Sequence, residues 1–347
     1  MKTPRARTPG WKKAVAQFPR SARADIDALW DNSGLLPAAT VGRLMGNMNA
    51  DIGALMMSLL PVAQQYAVVP VSHYQVGAVA AGMPVPGTGW ASLYLGANFE
   101  FNNVALSFTV HAEQSATTNA WLSGEAGIQA LAISAAPCGY CRQFLYELVT
   151  AQQLSILLPD DPKNPLSYSS TPLTTFLPDA FGPSDLGVQG GMMDPKLCTH
   201  NLTLSGGTPT DPVVAAALAA ASGSYAPYQT DVSYQYSGVA VQLTDGSIYP
   251  GRYAENAAYN PSMSPLESAL TFMNMTRPQS ATRQVTRCVL VEVPTLASQL
   301  SATQAVLTAY APGVTLEYCA ASIVTGGTAK AARKKGPAPA GRTRRRD

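Results

Sequence analysis

Between residues 24 and 61, apolar positions recur at three- and four-residue intervals, first Ile26, Leu29 and Trp30, then Ile52, Leu55, Met56 and Leu59, which predicts helices. This segment reads as a helical extension packed on the main body. Beyond Pro61 the period changes. VGAVAAG (76–82), WASLYLGA (90–97) and VALSFTV (104–110) are short, rich in β-branched or aromatic residues and separated by Gly and Pro, so each reads as a strand. HAEQSATTNAWLSG (111–124) reads as a helix stopped by glycine, and IQALAIS (128–134) as a strand. CRQFLYELV (141–149) reads as a helix entered from Pro137, and LSILLP (154–159) as a further strand. Strands and helices in this alternation predict helices covering a largely parallel sheet.

A second copy follows. SGVAVQLTDGSIYPGRYAENAAYNPSMSPLESALTFM (237–273) repeats the order strand, strand, turn, helix. Counting residues puts Glu255 where Glu100 stands and Glu267 within one residue of the place of Glu113, with Pro265 in the place of His111 and no Pro-Cys-x-x-Cys after it. The expected fold class is α/β: two tandem copies of one α/β/α sandwich, the second without metal ligands. The divisions are a basic N-terminus with helical extension (1–60), a first unit (61–190), a second unit (191–325) and a basic tail (326–347).

The composition, 46% hydrophobic and 13% charged with a mean hydropathy of +0.03, is that of a globular chain. No run of 18 apolar residues suggests a membrane span, and no secretory signal opens the chain, so a cytoplasmic protein without a membrane partner is expected. The net charge of +2 is concentrated at the ends. Before Asp25 stand Lys2, Arg5, Arg7, Lys12, Lys13, Arg20 and Arg23 without an acid, and the chain closes on AKAARKKGPAPAGRTRRRD. Both ends read as solvated tails, which leaves open weak nucleic-acid binding and, for the first, organelle targeting. The interior is mildly acidic, so no folded nucleic-acid face is announced.

Five cysteines, Cys138, Cys141, Cys198, Cys288 and Cys319, make an odd count, and a disulfide framework is not expected. Cys138 and Cys141 form a Cys-x-x-Cys at a helix start, which serves zinc sites and redox pairs alike. His111 adds an imidazole. Two thiolates and one imidazole make three ligands with no fourth nearby, the coordination of a catalytic rather than a structural zinc. His111 and Glu113, two apart, point about 200° from each other around a regular helix, so they converge only at its N-terminal end. Cys138 and Cys141, three apart, share a face. Two helix N-termini then aim at one point, where their dipoles favour thiolate. His73 reads as a strand-edge residue, and Cys198 with His200 as part of the linker between the copies.

HAEQSA with APCGYCRQF matches the His-x-Glu and Pro-Cys-x-x-Cys pattern of zinc nucleoside and nucleobase deaminases. More closely, HAEQSATTNAWLSGE, PCGYCRQFLYEL, LPDAFGP, YAENAAYNP and the two-copy layout resemble the bacterial-type homodimeric cytidine deaminases over roughly residues 61–275. The basic ends and PVPGTG (84–89) depart from that pattern. The resemblance implies one zinc per chain on His111, Cys138 and Cys141. It implies hydrolytic deamination of free cytidine and deoxycytidine, a salvage reaction in which zinc activates water and Glu113 shuttles the proton. It places Asn98 and Glu100 on the ribose 3′-hydroxyl, with Phe99 and Ala112 in the same substrate site. Tyr74 stands where the family carries a base-stacking phenylalanine, and Phe181 lies in a loop that caps a pocket across a homodimer. Two rivals remain: a polynucleotide deaminase, for which the basic ends speak and the Asn98/Glu100 pair speaks against, and a non-catalytic assembly module lacking metal.

Overall fold

The computed structural model describes residues 7–161, 164, 167–229, 233–276 and 284–324. The expected tail at 326–347 lies outside them, as do Lys2 and Arg5. Four helices lead, α1 (Pro9–Ala16), α2 (Arg23–Ala28), α3 (Ala38–Met48) and α4 (Ile52–Ala63), with a two-residue strand β1 (Leu35–Leu36). The first sheet adds β2 (Gly77–Pro84), β3 (Ala91–Ala97), β4 (Ala130–Ile133), β5 (Ser155–Pro159) and β6 (Tyr168–Pro172), with helices α5 (Ala112–Leu122), α6 (Gly139–Leu145) and α7 (Leu173–Phe176). The second contains β7 (Leu202–Leu204), β8 (Ser237–Leu243), β9 (Ile248–Arg252), β10 (Val285–Glu292) and β11 (Leu316–Ile323), with α8 (Pro212–Ser222), α9 (Pro265–Thr276) and α10 (Leu300–Tyr310).

The strand orders are β1-β3-β2-β4-β5-β6 and β7-β11-β10-β8-β9. Only β4 with β5, and β10 with β11, run parallel, so the sheets are mostly antiparallel rather than largely parallel. The reason is local: β2–β3 and β8–β9 are hairpins closed by short turns, which can join only antiparallel neighbours, whereas the crossovers through α6 and α10 return the chain parallel. VALSFTV is not a strand either. Its centre is a 3₁₀ turn, Leu106–Phe108, because β1 already occupies the outer edge of β3; only Val110 pairs, with Phe99. His73 is an exposed loop residue with φ of 56°, not a strand-edge residue.

Alternation along β2 sorts the layers. Val79 and Ala81 face Leu55, Met56 and Leu59 of α4 and, beyond them, Trp11, Trp30 and Tyr66. This layer includes the basic N-terminal stretch, which from Arg7 onward is folded and not a solvated tail. Trp11 is fully buried, stands edge-on to Trp30 at 4.8 Å, and donates its indole N–H to Asp27 Oδ1 at 2.8 Å. Arg7 bridges Asp27 and Asp31 at 3.1 and 2.7 Å. The acids that anchor the acid-free stretch come from just beyond it.

Ala78 and Ala80, on the opposite face of β2, enter a core shared with α5, α9 and Val239, Val241 and Leu290 of the second sheet. Helices α5 and α9 therefore lie between the two sheets, with Ser115 Oγ 3.4 Å from Thr271 Oγ1 across their contact. The far face of the second sheet is covered by α8 through Val213, Ala217 and Ala221. No helix among the described residues is long and apolar enough to cross a membrane.

The two copies correspond through matched contacts. A Cβ on Gly96 would sit 2.1 Å from the Ala116 backbone nitrogen, and one on Gly251 2.2 Å from that of Ala269. Ser115 and Ser268 hydroxyls accept from Ala97 N and Arg252 N, both at 3.2 Å. Glu100 accepts from Val71 N at 2.9 Å and Glu255 from Tyr228 N at 3.1 Å, so Glu255 does match Glu100. In the helices the count slips by one. Gln114 Oε1 accepts from His111 N at 3.0 Å and Glu267 Oε2 from Ser264 N at 3.0 Å, two equivalent capping boxes. Glu267 thus corresponds to Gln114, Ser264 to His111 and Leu266 to Glu113; the second copy has lost the acid as well as the ligands.

Burial raises the Glu267 carboxyl to about 7, against about 4.3 in an unfolded chain. Between those values rising pH ionises the unfolded chain first, so stability falls as pH climbs through this window. Glutamine, which fills the equivalent position in α5, cannot ionise. Glu267→Gln is expected to stabilise the protein by about 1–3 kcal/mol at pH 8, with most of the gain gone at pH 5, as read from urea unfolding at both pH values.

Candidate metal centre

The chain reaches the site twice, each time at the start of a helix. His111 is the N-cap of α5, with extended backbone (φ −80°, ψ 159°), and its own N–H is tied to Gln114. Cys138 is the N-cap of α6, and Cys141 lies in its first turn. His111 Nδ1 stands 3.6 Å from Cys138 Sγ and 3.2 Å from Cys141 Sγ. All three donor atoms lie within 4.8 Å of one another, the one such group among the described residues. Neither thiol is in a disulfide, and Cys198 with His200 gathers no further ligand: the His200 ring stacks on Tyr236 at 3.6 Å and its Nε2 contacts the Ser224 carbonyl at 2.9 Å.

The donor set suits zinc. A tetrahedral ion with sulfur at about 2.3 Å and nitrogen at about 2.0 Å needs those donors about 3.5 Å apart, close to the spacings found. Without a cation the two thiols compete. Cys138 is lowered to about 5, first by the hydrogen bond from the Cys141 side chain and then by the backbone N–H groups of Cys141 and Tyr140, while Cys141, donating that bond and buried, is raised. Metal ligation requires both sulfurs as thiolates, so binding would displace the proton that Cys141 shares with Cys138.

The centre opens into a cleft of about 230 Å³ lined by Val76, Asn98, Glu100, Thr109, His111, Ala112, Glu113, Ala135, Ala136 and Cys138. Glu113 reaches it from the first turn of α5, and burial raises its carboxyl. Asn98 and Glu100 reach it from beyond β3. The Asn98 amide accepts from Val76 N and donates to the Tyr74 carbonyl, both at 2.9 Å, which fixes its orientation and leaves one N–H unused. Burial alone would raise the Glu100 carboxyl. Hydrogen bonds from the Ser72 hydroxyl and from the Val71 and Ser72 amides outweigh it and hold the group below its ordinary range.

Of the residues singled out in the sequence, His111, Ala112, Glu113, Cys138, Asn98 and Glu100 meet in this cleft, with Cys141 behind Cys138. Phe99 is buried beside Phe101. Tyr74 is 63% exposed and Phe181 47% exposed; neither lines the cleft of a single chain, and Phe181 offers only its carbonyl, to Gln143 Nε2 at 2.7 Å. Sequence reading missed Ser72, which holds Glu100, and Gln114, whose place three residues after His111 is a recognisable capping signal.

Two segments, residues 52–156 and 173–306, match the family described as the cytidine and deoxycytidylate deaminase zinc-binding region. A cytidine deaminase of Aliivibrio fischeri is 41% identical over 310 residues, covering 88% of this chain and 96% of that protein. A cytidine deaminase of Sodalis glossinidius is 44% identical, covering 75% of this chain and 81% of its own length. One of Yersinia pestis is 44% identical, covering 74% and 80%.

Zinc analysis by plasma emission is expected to give about one ion per chain. Cys141→Ser is expected to lose most of that metal while remaining folded by circular dichroism, whereas full metal retention would remove Cys141 from the ligand set.

Proposed function

This chain belongs to the cytidine deaminase family, and from that premise we propose that it hydrolyses free cytidine and deoxycytidine to the uridine forms and ammonia. The observation that carries this reading is one cleft combining the His111, Cys138 and Cys141 donors, the buried Glu113 carboxyl, and the Asn98/Glu100 pair. His111, Cys138 and Cys141 would hold zinc, which when bound supplies the Lewis acidity that activates water. Glu113 takes the proton from the attacking water and delivers it to N3 of the pyrimidine. Glu113, ionised again, then takes the second proton from the new C4 hydroxyl as that oxygen becomes the carbonyl and passes it to the leaving amine as the C4–N4 bond breaks, so water adds, ammonia departs and Glu113 ends as it began.

Asn98 has one free donor and Glu100 a spare acceptor, a pair suited to a single hydroxyl such as the ribose 3′-OH. Partners already buried reject an analogue that lacks the group, because they are left unpaired. Ala112 lies on the cleft wall and Phe99 packs behind it. We assign Tyr74 and Phe181, which stand out from the single chain, to contacts completed in a homodimer, where Tyr74 stacks on the base and Phe181 caps the pocket.

Ammonia release from free cytidine is the direct test; turnover only on single-stranded RNA or DNA would overturn the nucleoside reading. Glu113→Ala is expected to keep its zinc and lose about 10²- to 10⁴-fold in kcat, the range typical of a positioned acid–base group. Activity near wild type in that variant would remove Glu113 from its role.

A further inference from the structure

Glu147 lies two residues past the end of α6 and is 1% exposed. Burying a carboxylate is costly unless it is compensated, and no Lys, Arg or His pairs with this one among the described residues. Hydrogen bonds hold it instead. Tyr225 Oη donates to Oε2 at 2.8 Å, Tyr228 Oη reaches both oxygens at 2.9 and 3.1 Å, and Ala257 N donates to Oε1 at 2.6 Å. All three donors belong to the second, ligand-less unit.

A second grip lies four residues earlier. Asn256 Nδ2 donates to the Gln143 carbonyl at 3.0 Å, and Gln143 Nε2 donates to Asn256 Oδ1 at 3.3 Å. The element so held is the seven-residue helix that starts on Cys138 and carries Cys141. A helix of two turns has little cooperativity of its own, so its axis and roll are set by its tertiary contacts. Its middle is also held within the first unit, Arg142 Nη1 donating to the Phe176 carbonyl at 3.0 Å and Gln143 Nε2 to that of Phe181 at 2.7 Å, whereas the grip at its far end comes from residues more than 75 positions downstream, with separations of 78 for Tyr225, 81 for Tyr228 and 110 for Ala257.

We infer that Glu147 is a positioning residue for the metal centre: through Glu147 and Asn256 the second unit grips the Cys-x-x-Cys helix and sets where its two thiols meet His111. This supplies a task for the second unit that needs no ligand of its own. It rests on the deaminase reading only for turnover, not for metal binding.

The test uses the full-length enzyme loaded with cobalt(II), whose thiolate-to-metal absorption reports ligand geometry, together with zinc competition against a chromophoric chelator and kcat and KM on cytidine. Glu147→Ala is expected to weaken zinc binding about tenfold, to shift the cobalt band and to lower kcat with KM near wild type. Glu147→Gln keeps an acceptor for the Ala257 amide, and the tyrosine hydroxyls can turn to accept, so it is expected to restore most of the loss. Tyr228→Phe is expected to move the same readouts in the same direction and to be non-additive with Glu147→Ala. A folded Glu147→Ala with wild-type cobalt spectrum and zinc affinity overturns the inference. If that variant fails to fold, unchanged spectrum and affinity in Tyr228→Phe overturn it. Wild-type enzyme that binds cobalt but leaves cytidine intact would sink the deaminase reading and leave the metal arm of the experiment decisive.

Discussion

Helices α5 and α9, pressed together between two sheets, are the contact on which the rest of this molecule depends. An ordinary surface helix has one apolar stripe and one wet face. Helix α5 has no wet face: it is buried along nearly its whole length, yet it carries Glu113, Gln114, Ser115, Thr117, Thr118 and Asn119. Such a helix is stable only where its polar groups find partners, and most do. Gln114 takes the His111 amide, Ser115 the Ala97 amide, and Asn119 donates to the Leu95 and Ser33 carbonyls at 2.9 Å each. Its orientation is therefore fixed from the first sheet, from α9 and from the N-terminal layer at once, and His111 and Glu113 inherit that rigidity at its first turn.

The electrostatics of the cleft follow from this placement. Burial works against every charge near the centre, and each carboxyl meets it differently. Glu100 is surrounded by three donors and stays ionised, fit to accept from a hydroxyl. Glu113 lies deeper, and its burial raises it. Two acids on neighbouring elements are thereby pushed in opposite directions, Glu113 upward by its deeper burial and Glu100 downward by its hydrogen-bond partners.

Much of this is legible in the sequence. His-x-Glu and Pro-Cys-x-x-Cys are contiguous words, and helix geometry dictates that residues two or three apart converge at helix starts. The duplicated strand–strand–helix order was visible for the same reason. The fate of VALSFTV was not, because it depends on which edge is occupied, and the edge of β3 is taken by a strand of only two residues, Leu35 and Leu36. The folding of the basic N-terminus was not legible either, because the partners of Arg7, Asp27 and Asp31, lie just past the acid-free stretch. The register of the second copy slipped because His111 follows Glu100 by 11 positions whereas Ser264 follows Glu255 by 9, a shortening that only the capping boxes reveal. Glu147 carried no local signal at all, since its partners come from the other half of the chain.

The close approach at Gly96 and Gly251 has an evolutionary corollary. In both halves a methyl group at that point would collide with the backbone of the facing helix, so the missing side chain sets the gap between strand and helix. The duplicate half has shed its histidine, its acid and its thiols yet still carries that glycine, four positions ahead of a retained glutamate. Chemistry was expendable after duplication, and clearance was not. Decayed copies of this architecture in other genomes would then be better traced by an empty position on a strand than by any residue that once held a metal or moved a proton.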